Sequence, residues 1–321
     1  MLSTQRGPNP VTAPMSSAPG GQPSASPDYV VVGHVAFDLV DGLVDGLVDG
    51  LVDGLVDGEA RPGGTVLYAG AMAANLGRRV GLVTAGSVDR SWSPSLAAMP
   101  VVSVPSREAT TFSPTFSIAN GEGRSLRLLG RAPGIAFDDI PPSWRSARLL
   151  HLAPIAGELP EVLPTLLAAH TIVATPQGWL RRVLADGTVV PAPERLEELP
   201  LEALAALVVS SEDVAGRHDL VRAAAARIPT VVLTRGSWGC TLFVGGKSVQ
   251  IDAVEARAVD TIGAGDVFSA AFFVRMDETG DPVHSARFAT CAASLSVEGK
   301  GIGSVPVRER IEARMRDLCR Q

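Results

Sequence analysis

The sequence predicts an α/β fold, a mostly parallel central sheet with helices on both faces. Three observations predict it. Short β-branched apolar runs (29–34, 171–175, 207–211) alternate with breaker-free helical segments (66–77, 267–274, 286–297), the βαβ rhythm of a parallel sheet. The 321 residues are 46% hydrophobic, enough for one large domain core. Several strand runs end in Gly or in an acid, where open α/β sheets hold their ligands.

The first 27 residues are rich in Pro, Ser, Gly, Thr and Gln. Such a segment buries too little apolar surface to offset its ordering entropy, so residues 1–27 are expected to form a disordered tail and 28–321 the folded domain. Tyr29-Val30-Val31-Val32-Gly33-His34 is a buried strand ending in Gly, and Asp38 follows five residues after Gly33. His34 reads as a hydrogen-bonded loop residue rather than a catalyst. Residues 39–58 are five tandem copies of Leu-Val-Asp-Gly. A Gly in every helical turn costs about 1 kcal/mol against Ala, and stacked acids repel. The acidic spacing fits neither of the usual calcium loops. The tract reads as an expansion of one unit, tolerated because long loops close at modest entropic cost.

Gly63-Gly64 precedes a small-residue helix that ends at Gly77, a pairing that lets a ligand approach the backbone. Val80–Asp89 is a strand and turn. Residues 91–131 read as mixed strands (101–104, 112–118, 125–129), with Arg124 and Arg127 as solvated strand residues. A strand at 149–155, a helix at 159–169 and a strand at 171–175 continue the alternation. The strand 207–211 ends in Ser210-Ser211-Glu212-Asp213, either a cap with acids in its first turn or a set of hard oxygen ligands. Strand 230–234, the turn 235–239 and a further strand follow. Gly245-Gly246-Lys247-Ser248 ends like a phosphate loop but has Thr241 where the first Gly is required and lies between strands, so it is rejected.

Asp260-Thr261-Ile262-Gly263-Ala264-Gly265-Asp266 opens the apolar helix 267–274. Glycines at a helix start leave N–H groups uncovered, and with the helix dipole behind them they suit an anion. Asp266 at that spot repels a static anion. It makes sense as a base that takes a proton from a hydroxyl while the amides of residues 262–265 hold phosphoryl charge.

The string D-T-x-G-A-G-D before an apolar helix resembles the second signature of the PfkB (ribokinase-like) carbohydrate kinases. Gly63-Gly64 resembles the first, G-G-x-x-x-N, with Tyr68 in place of the Asn that contacts sugar. The resemblance covers about residues 29–315. It implies a ribokinase-like three-layer sandwich with a mostly parallel central sheet and a short β lid, the 39–58 tract lying in the lid region, with ATP as donor and Mg2+. It implies Asp266 as base and Gly263, Ala264 and Gly265 as anion hole. Asp38, Gly63, Gly64, Tyr68 and Gln177 fall on the acceptor side. Thr234, Gly236, Gly239, Thr261 and Gly301 fall on the nucleotide side, and Asp213 with Glu212 near magnesium. Gln177-Gly178-x-Leu180-Arg181, with Gly63-Gly64-Thr65 and 153–158, looks like the branch that includes inositol kinases; the bland alternative is that Gln177 and Arg181 tie down a loop.

The implied activity is ATP-dependent phosphorylation of a hydroxyl on a sugar or cyclic polyol. The alternatives are a sugar- or nucleotide-binding paralogue without catalysis, and a nucleoside kinase. The net charge of -6 argues against a nucleic-acid partner. No apolar run reaches the ~18 residues of a membrane span, and there is no signal-peptide core. Cys240, Cys291 and Cys319 match no zinc or disulfide spacing and read as reduced thiols of a cytoplasmic protein, two of them buried. The resemblance implies a small-molecule sugar or polyol as partner, with neither nucleic acid nor membrane, and an oligomer is compatible with it.

Overall fold

A computed structural model describes residues 26–39, 60–117, 123–161, 169–318 and 320. The expected N-terminal tail up to residue 25, nearly all of the Leu-Val-Asp-Gly tract, most of the helix expected at 159–169 and Cys319 lie outside the described residues. In chain order the strands are β1 (Tyr29–Val32), β2 (Ala36–Leu39), β3 (Ala60–Gly63), β4 (Val80–Ala85), β5 (Val101–Val104), β6 (Thr110–Ser117), β7 (Gly123–Gly130), β8 (Leu149–Leu152), β9 (Thr171–Ala174), β10 (Arg181–Val183), β11 (Thr188–Pro191), β12 (Ala206–Ser210), β13 (Thr230–Thr234), β14 (Cys240–Val244) and β15 (Lys247–Ile251). The helices are α1 (Thr65–Asn75), α2 (His218–Ala225), α3 (Ala264–Thr279), α4 (Pro282–Ser296) and α5 (Arg308–Leu318).

The main sheet runs β15-β14-β13-β12-β9-β8-β1-β4-β5. Every pairing from β13 to β5 is parallel, while β14 and β15 close one edge as antiparallel strands. Gly245 and Gly246, both with positive φ, turn the β14–β15 hairpin, which is why the Gly-Gly-Lys-Ser string has no helix to start. All four residues of β1 are buried because both faces are covered. Tyr29 and Val31 pack with α1, α3 and α4, while Val30 and Val32 point to a second core shared with α2. α3 is buried continuously from Val267 to Val274, since α1, α4 and β12 all pack against it. Its lack of a polar stripe follows from that position.

The lid is broader than the sequence suggests. Its sheet has six strands in the order β10-β11-β7-β6-β2-β3. The sequence-based expectation of a short lid counted only the strands near the tandem repeat. The sheet is instead assembled from distant segments: β2 pairs antiparallel with β3 and parallel with β6, and the β10–β11 hairpin joins through β7. Asp38 is therefore a lid-strand residue rather than a loop residue, opposite Arg61 on β3 and Phe112 on β6. Cys240 and Cys291 are buried. No helix among the described residues is long and apolar enough to cross a membrane.

Candidate active site

The site lies where the carboxyl ends of the parallel strands meet the lid. Gly33, directly after β1, can only be Gly, because a Cβ there would stand 2.2 Å from the Ala153 carbonyl oxygen. That close approach brings the loop after β8 against the loop after β1. The Glu158 side chain, 3% exposed, then fastens the two together. Its carboxylate accepts N–H donations from His34 (2.8 Å), Ile155 (3.0 Å) and Ala156 (2.8 Å). His34 is buried, and burial holds its imidazole below the usual range. Its Nε2 donates to the Pro133 carbonyl, which leaves Nδ1 to accept from the Thr110 hydroxyl. It is a structural residue, as expected.

α1 begins at Gly64, whose φ of 90 is available to Gly alone at this place; a Cβ would lie 2.6 Å from the His34 carbonyl oxygen. Thr65, the first helical residue, is buried and donates its hydroxyl to Asp266 Oδ1 at 2.7 Å. Tyr68 follows one turn later, 3% exposed. Its ring lies on the Cα of Gly263, where an added Cβ would come within 2.4 Å of it, and beside Gly63. Asp38 Oδ2 would be 3.2 Å from a Cβ on Gly63. Burial, with Asp260, Asp266 and Asp38 close by, raises the Tyr68 phenol, so it remains a protonated donor.

The loop 260–266 is set by its first residue. Asp260 accepts from the N–H of Ile262 (3.1 Å) and of Gly301 (3.2 Å), and faces Arg61 at 3.8 Å. One carboxylate thus fastens the α3 start to the 299–303 loop and to the lid strand β3. Gly263, with φ 78, turns the chain into α3. That turn corrects the expected anion hole. The Ile262 N–H is taken by Asp260, and the Ala264 N–H points back to the Thr261 carbonyl at 3.3 Å. The N–H groups of Gly263, Gly265 and Asp266 donate to no group among the described residues. A Cβ on Gly265 would meet open space, so this side of the loop is free for a ligand.

Asp266 is the acidic residue in the first turn of α3. Burial pushes its carboxyl up to about 6; Thr65 and Arg181 favour the ionised form, while Asp213 and Asp38 oppose it. Asp213 itself closes a turn after β12: its Oδ2 accepts from the Ser210 hydroxyl at 2.7 Å, and its N–H donates to Ser210 Oγ at 3.0 Å. Glu212 is exposed. Ser210 and Asp213 thus close an isolated turn, while α2 starts later with Arg217 at its N-cap, so the expected helix cap is not formed at Ser210.

Gln177 sits in the turn after β9, which packs backbone against backbone on 154–156: a Cβ on Gly178 would be 2.6 Å from the Ile155 nitrogen. Arg181 donates from Nη1 to the Ile155 carbonyl at 3.1 Å, so it does tie down this loop. Thr234 ends β13, and Gly236 (φ 54) and Gly239 (φ 76) shape the following turn. Gly239 is required there, since a Cβ would fall 2.1 Å from the Ile251 carbonyl oxygen. Thr261 is exposed at the mouth of the loop. The sequence reading missed Thr65, Asp260 and Glu158. Thr65 had a usable signal, a hydroxyl residue directly after a Gly-Gly helix start. A separate cleft of about 480 Å³, lined by Asp28, Arg78, Arg148, Asp277 and Glu278 among others, lies at the opposite ends of the strands, where Asp277 pairs with Arg78 and Arg148.

A nine-stranded, mainly parallel sheet, a second sheet over its carboxyl ends and a Gly-rich helix start carrying an acid define a protein of the ribokinase-like fold. Residues 201–309 match the family described as pfkB family carbohydrate kinase. A ribokinase of Bacillus subtilis is 43% identical over 81 residues, 25% of this chain and 28% of that protein. The chain thus matches less than a third of that relative's length. Among solved structures, a pyrophosphate-dependent kinase in the ribokinase family complexed with a pyrophosphate analog and myo-inositol superposes with a TM-score of 0.69 at 21% identity, over 89% of this chain and 99% of the other. The Arabidopsis thaliana ribokinase complexed with ribose and ATP superposes with a TM-score of 0.63 at 23% identity, over 90% and 99%.

Proposed function

We propose that the protein transfers the γ-phosphoryl group of ATP to a hydroxyl of a neutral sugar or cyclic polyol. One observation carries the reading: an acid held by a hydroxyl donor stands at a helix start whose neighbouring amides are uncommitted. Asp266 takes the acceptor proton, and the amides of Gly263 and Gly265, with the α3 dipole behind them, hold the charge on the phosphoryl oxygens. Asp38, Gly63, Gly64 and Tyr68 form the acceptor side. Gln177 stands on the loop that closes it. Thr234, Gly236, Gly239, Thr261 and Gly301 lie on the donor side.

The charge balance argues for a neutral acceptor. Asp38, Asp213, Asp266 and Glu158 bear on Arg181, and Arg61 faces Asp260, so among these groups acids outnumber cations and a neutral acceptor fits better than a sugar phosphate. The myo-inositol found in a neighbour of the same fold agrees with that class.

Magnesium fits this site in one way only. Among the described residues no cluster of three acids or histidines forms a cage. Magnesium commonly binds through one or two carboxylates plus waters and substrate phosphates, and Asp213, with Glu212 beside it, would hold it in that manner. There it would neutralise phosphate charge as the donor binds.

The pH dependence follows from Asp266. The base works ionised, so the rate should rise with pH through about 6 and level off above it. Thr65→Val removes the donor that favours the carboxylate, so the acid limb should move to higher pH. A limb that stays in place in the pH–rate profile of the variant would separate Thr65 from the base.

The test of the function is ADP release from magnesium ATP in the presence of inositols, aldoses, ketoses and nucleosides, with pyrophosphate as a second donor. Release that depends on a neutral polyol or sugar is the expected result. Nucleosides as the sole effective acceptors would favour a nucleoside kinase. Calorimetric binding without ADP release across the panel would favour a binding protein that has lost catalysis.

A further inference from the structure

Arg181 is a cation in the cleft that the reading above leaves without a chemical part. It opens the lid strand β10, yet its guanidinium turns inward. It lies 5.8 Å from the centre of the Phe112 ring and donates from Nη1 to the Ile155 carbonyl. A guanidinium carries five N–H donors, and among the described residues the others donate to nothing. The charges that bear on it are Asp213 on the donor side, Asp266 between, and Asp38 and Glu158 on the acceptor side. Such a position costs desolvation, and among the described residues Asp213, Asp266 and Glu158 form no hydrogen-bonded pair with Arg181 to offset it. A planar fork with spare donors, within electrostatic reach of Asp213 and Asp266, matches the oxygens of a phosphoryl group.

We propose that Arg181 is a lid-borne clamp on the phosphoryl group in transfer, an inference that rests on the kinase reading of the same site. In the step it serves, the bond between the γ-phosphorus and the bridging oxygen of ATP breaks, and ADP leaves with the electron pair. A bond forms from the acceptor oxygen to that phosphorus, and the acceptor proton passes to the Asp266 carboxylate. Arg181 exchanges no proton; its free N–H groups hold the phosphoryl oxygens opposite the Gly263 and Gly265 amides. Because Arg181 stands on β10, the clamp is complete only with the lid in place, which couples acceptor enclosure to transfer.

Two measurements test this on the full chain. The first is calorimetric binding of inorganic tripolyphosphate with magnesium, which needs no turnover. Arg181→Gln should bind at least about tenfold more weakly than wild type, the loss of a charge-assisted contact. Arg181→Lys keeps the charge and stem but loses the fork, and should fall between the two. The second is steady-state kinetics with the best acceptor. Arg181→Gln should lower kcat by about 10²-fold or more, in the range of oxyanion donors and arginine fingers, with acceptor KM within about threefold. A purely structural part, holding Ile155, would instead raise acceptor KM and leave tripolyphosphate affinity alone. Tripolyphosphate affinity within twofold of wild type in both variants overturns the proposal. A wild type that binds tripolyphosphate through Arg181 but releases no ADP with any acceptor keeps the clamp and sinks the kinase reading, so the two failures are distinct.

Discussion

Asp266→Asn is expected to lower turnover by about 10²–10⁴-fold, the usual loss for a general base. Acceptor affinity should change little, because Asn presents an oxygen to the Thr65 hydroxyl as Asp266 Oδ1 does at 2.7 Å. The variant should also fold at least as well as wild type. Burial raises the Asp266 carboxyl in the folded state, so its ionised form is disfavoured there and its contribution to stability turns against folding as pH rises above the unfolded value. A neutral amide removes that penalty and the repulsion from Asp213 and Asp38. The expected signature is therefore a loss of kcat with the melting temperature unchanged or raised near pH 8. A fall in kcat of less than about tenfold would mean that Asp266 is not the base.

Gly263→Ala should be nearly as damaging, by another route. Gly263 has φ 78, and a side chain in the left-handed region costs about 1–2 kcal/mol. Its Cβ would also stand 2.4 Å from the Tyr68 ring. Either the ring or the loop must move, and the loop carries the uncommitted amides. Displacing one such donor typically costs about 10²–10³ in kcat. The melting temperature should fall by a few degrees in the same variant. Tyr68→Ala in the Gly263→Ala background separates the two causes. If the clash dominates, the double variant regains activity and stability relative to Gly263→Ala, because contacting residues couple. Strictly additive losses would place the damage in backbone strain alone.

The parts of this protein legible in the sequence are those with local signals. β1, α1 and α3 each lie in one continuous apolar run, and the Asp260–Asp266 string sits directly before its helix, so pattern and place coincide. Long-range closure had no such signal. Thr65 and Asp266 meet across 201 residues of sequence. The breadth of the lid depends on the parallel pairing of β2 with β6 and on the arrival of β10 and β11, none of which a local pattern encodes. Glu158 reads as an ordinary loop acid until the close approach of Gly33 and Ala153 brings three backbone amides to it. The expected four-amide anion hole shrank for a similar reason: Asp260 and Thr261 take two of its N–H groups for the turn itself. Tyr68 was visible as a departure from a pattern, but its contact with Gly263 needed coordinates.

Under the proposed function, that contact also bears on acceptor choice. A ring placed between Gly63 and Gly263 narrows the cleft beside Asp38 and keeps one protonated hydroxyl there. Several ring hydroxyls on a compact acceptor suit such a wall better than an extended phosphorylated chain, which the surrounding carboxylates repel.

The most direct measurement is the mass of the acceptor after incubation of the full chain with magnesium ATP and myo-inositol or another neutral polyol from the panel. The account predicts an acceptor heavier by one phosphoryl group, formed in equal amount with ADP and absent with Asp266→Asn. ADP formed without any phosphorylated acceptor, or acceptor phosphorylation that persists undiminished in Asp266→Asn, would contradict it.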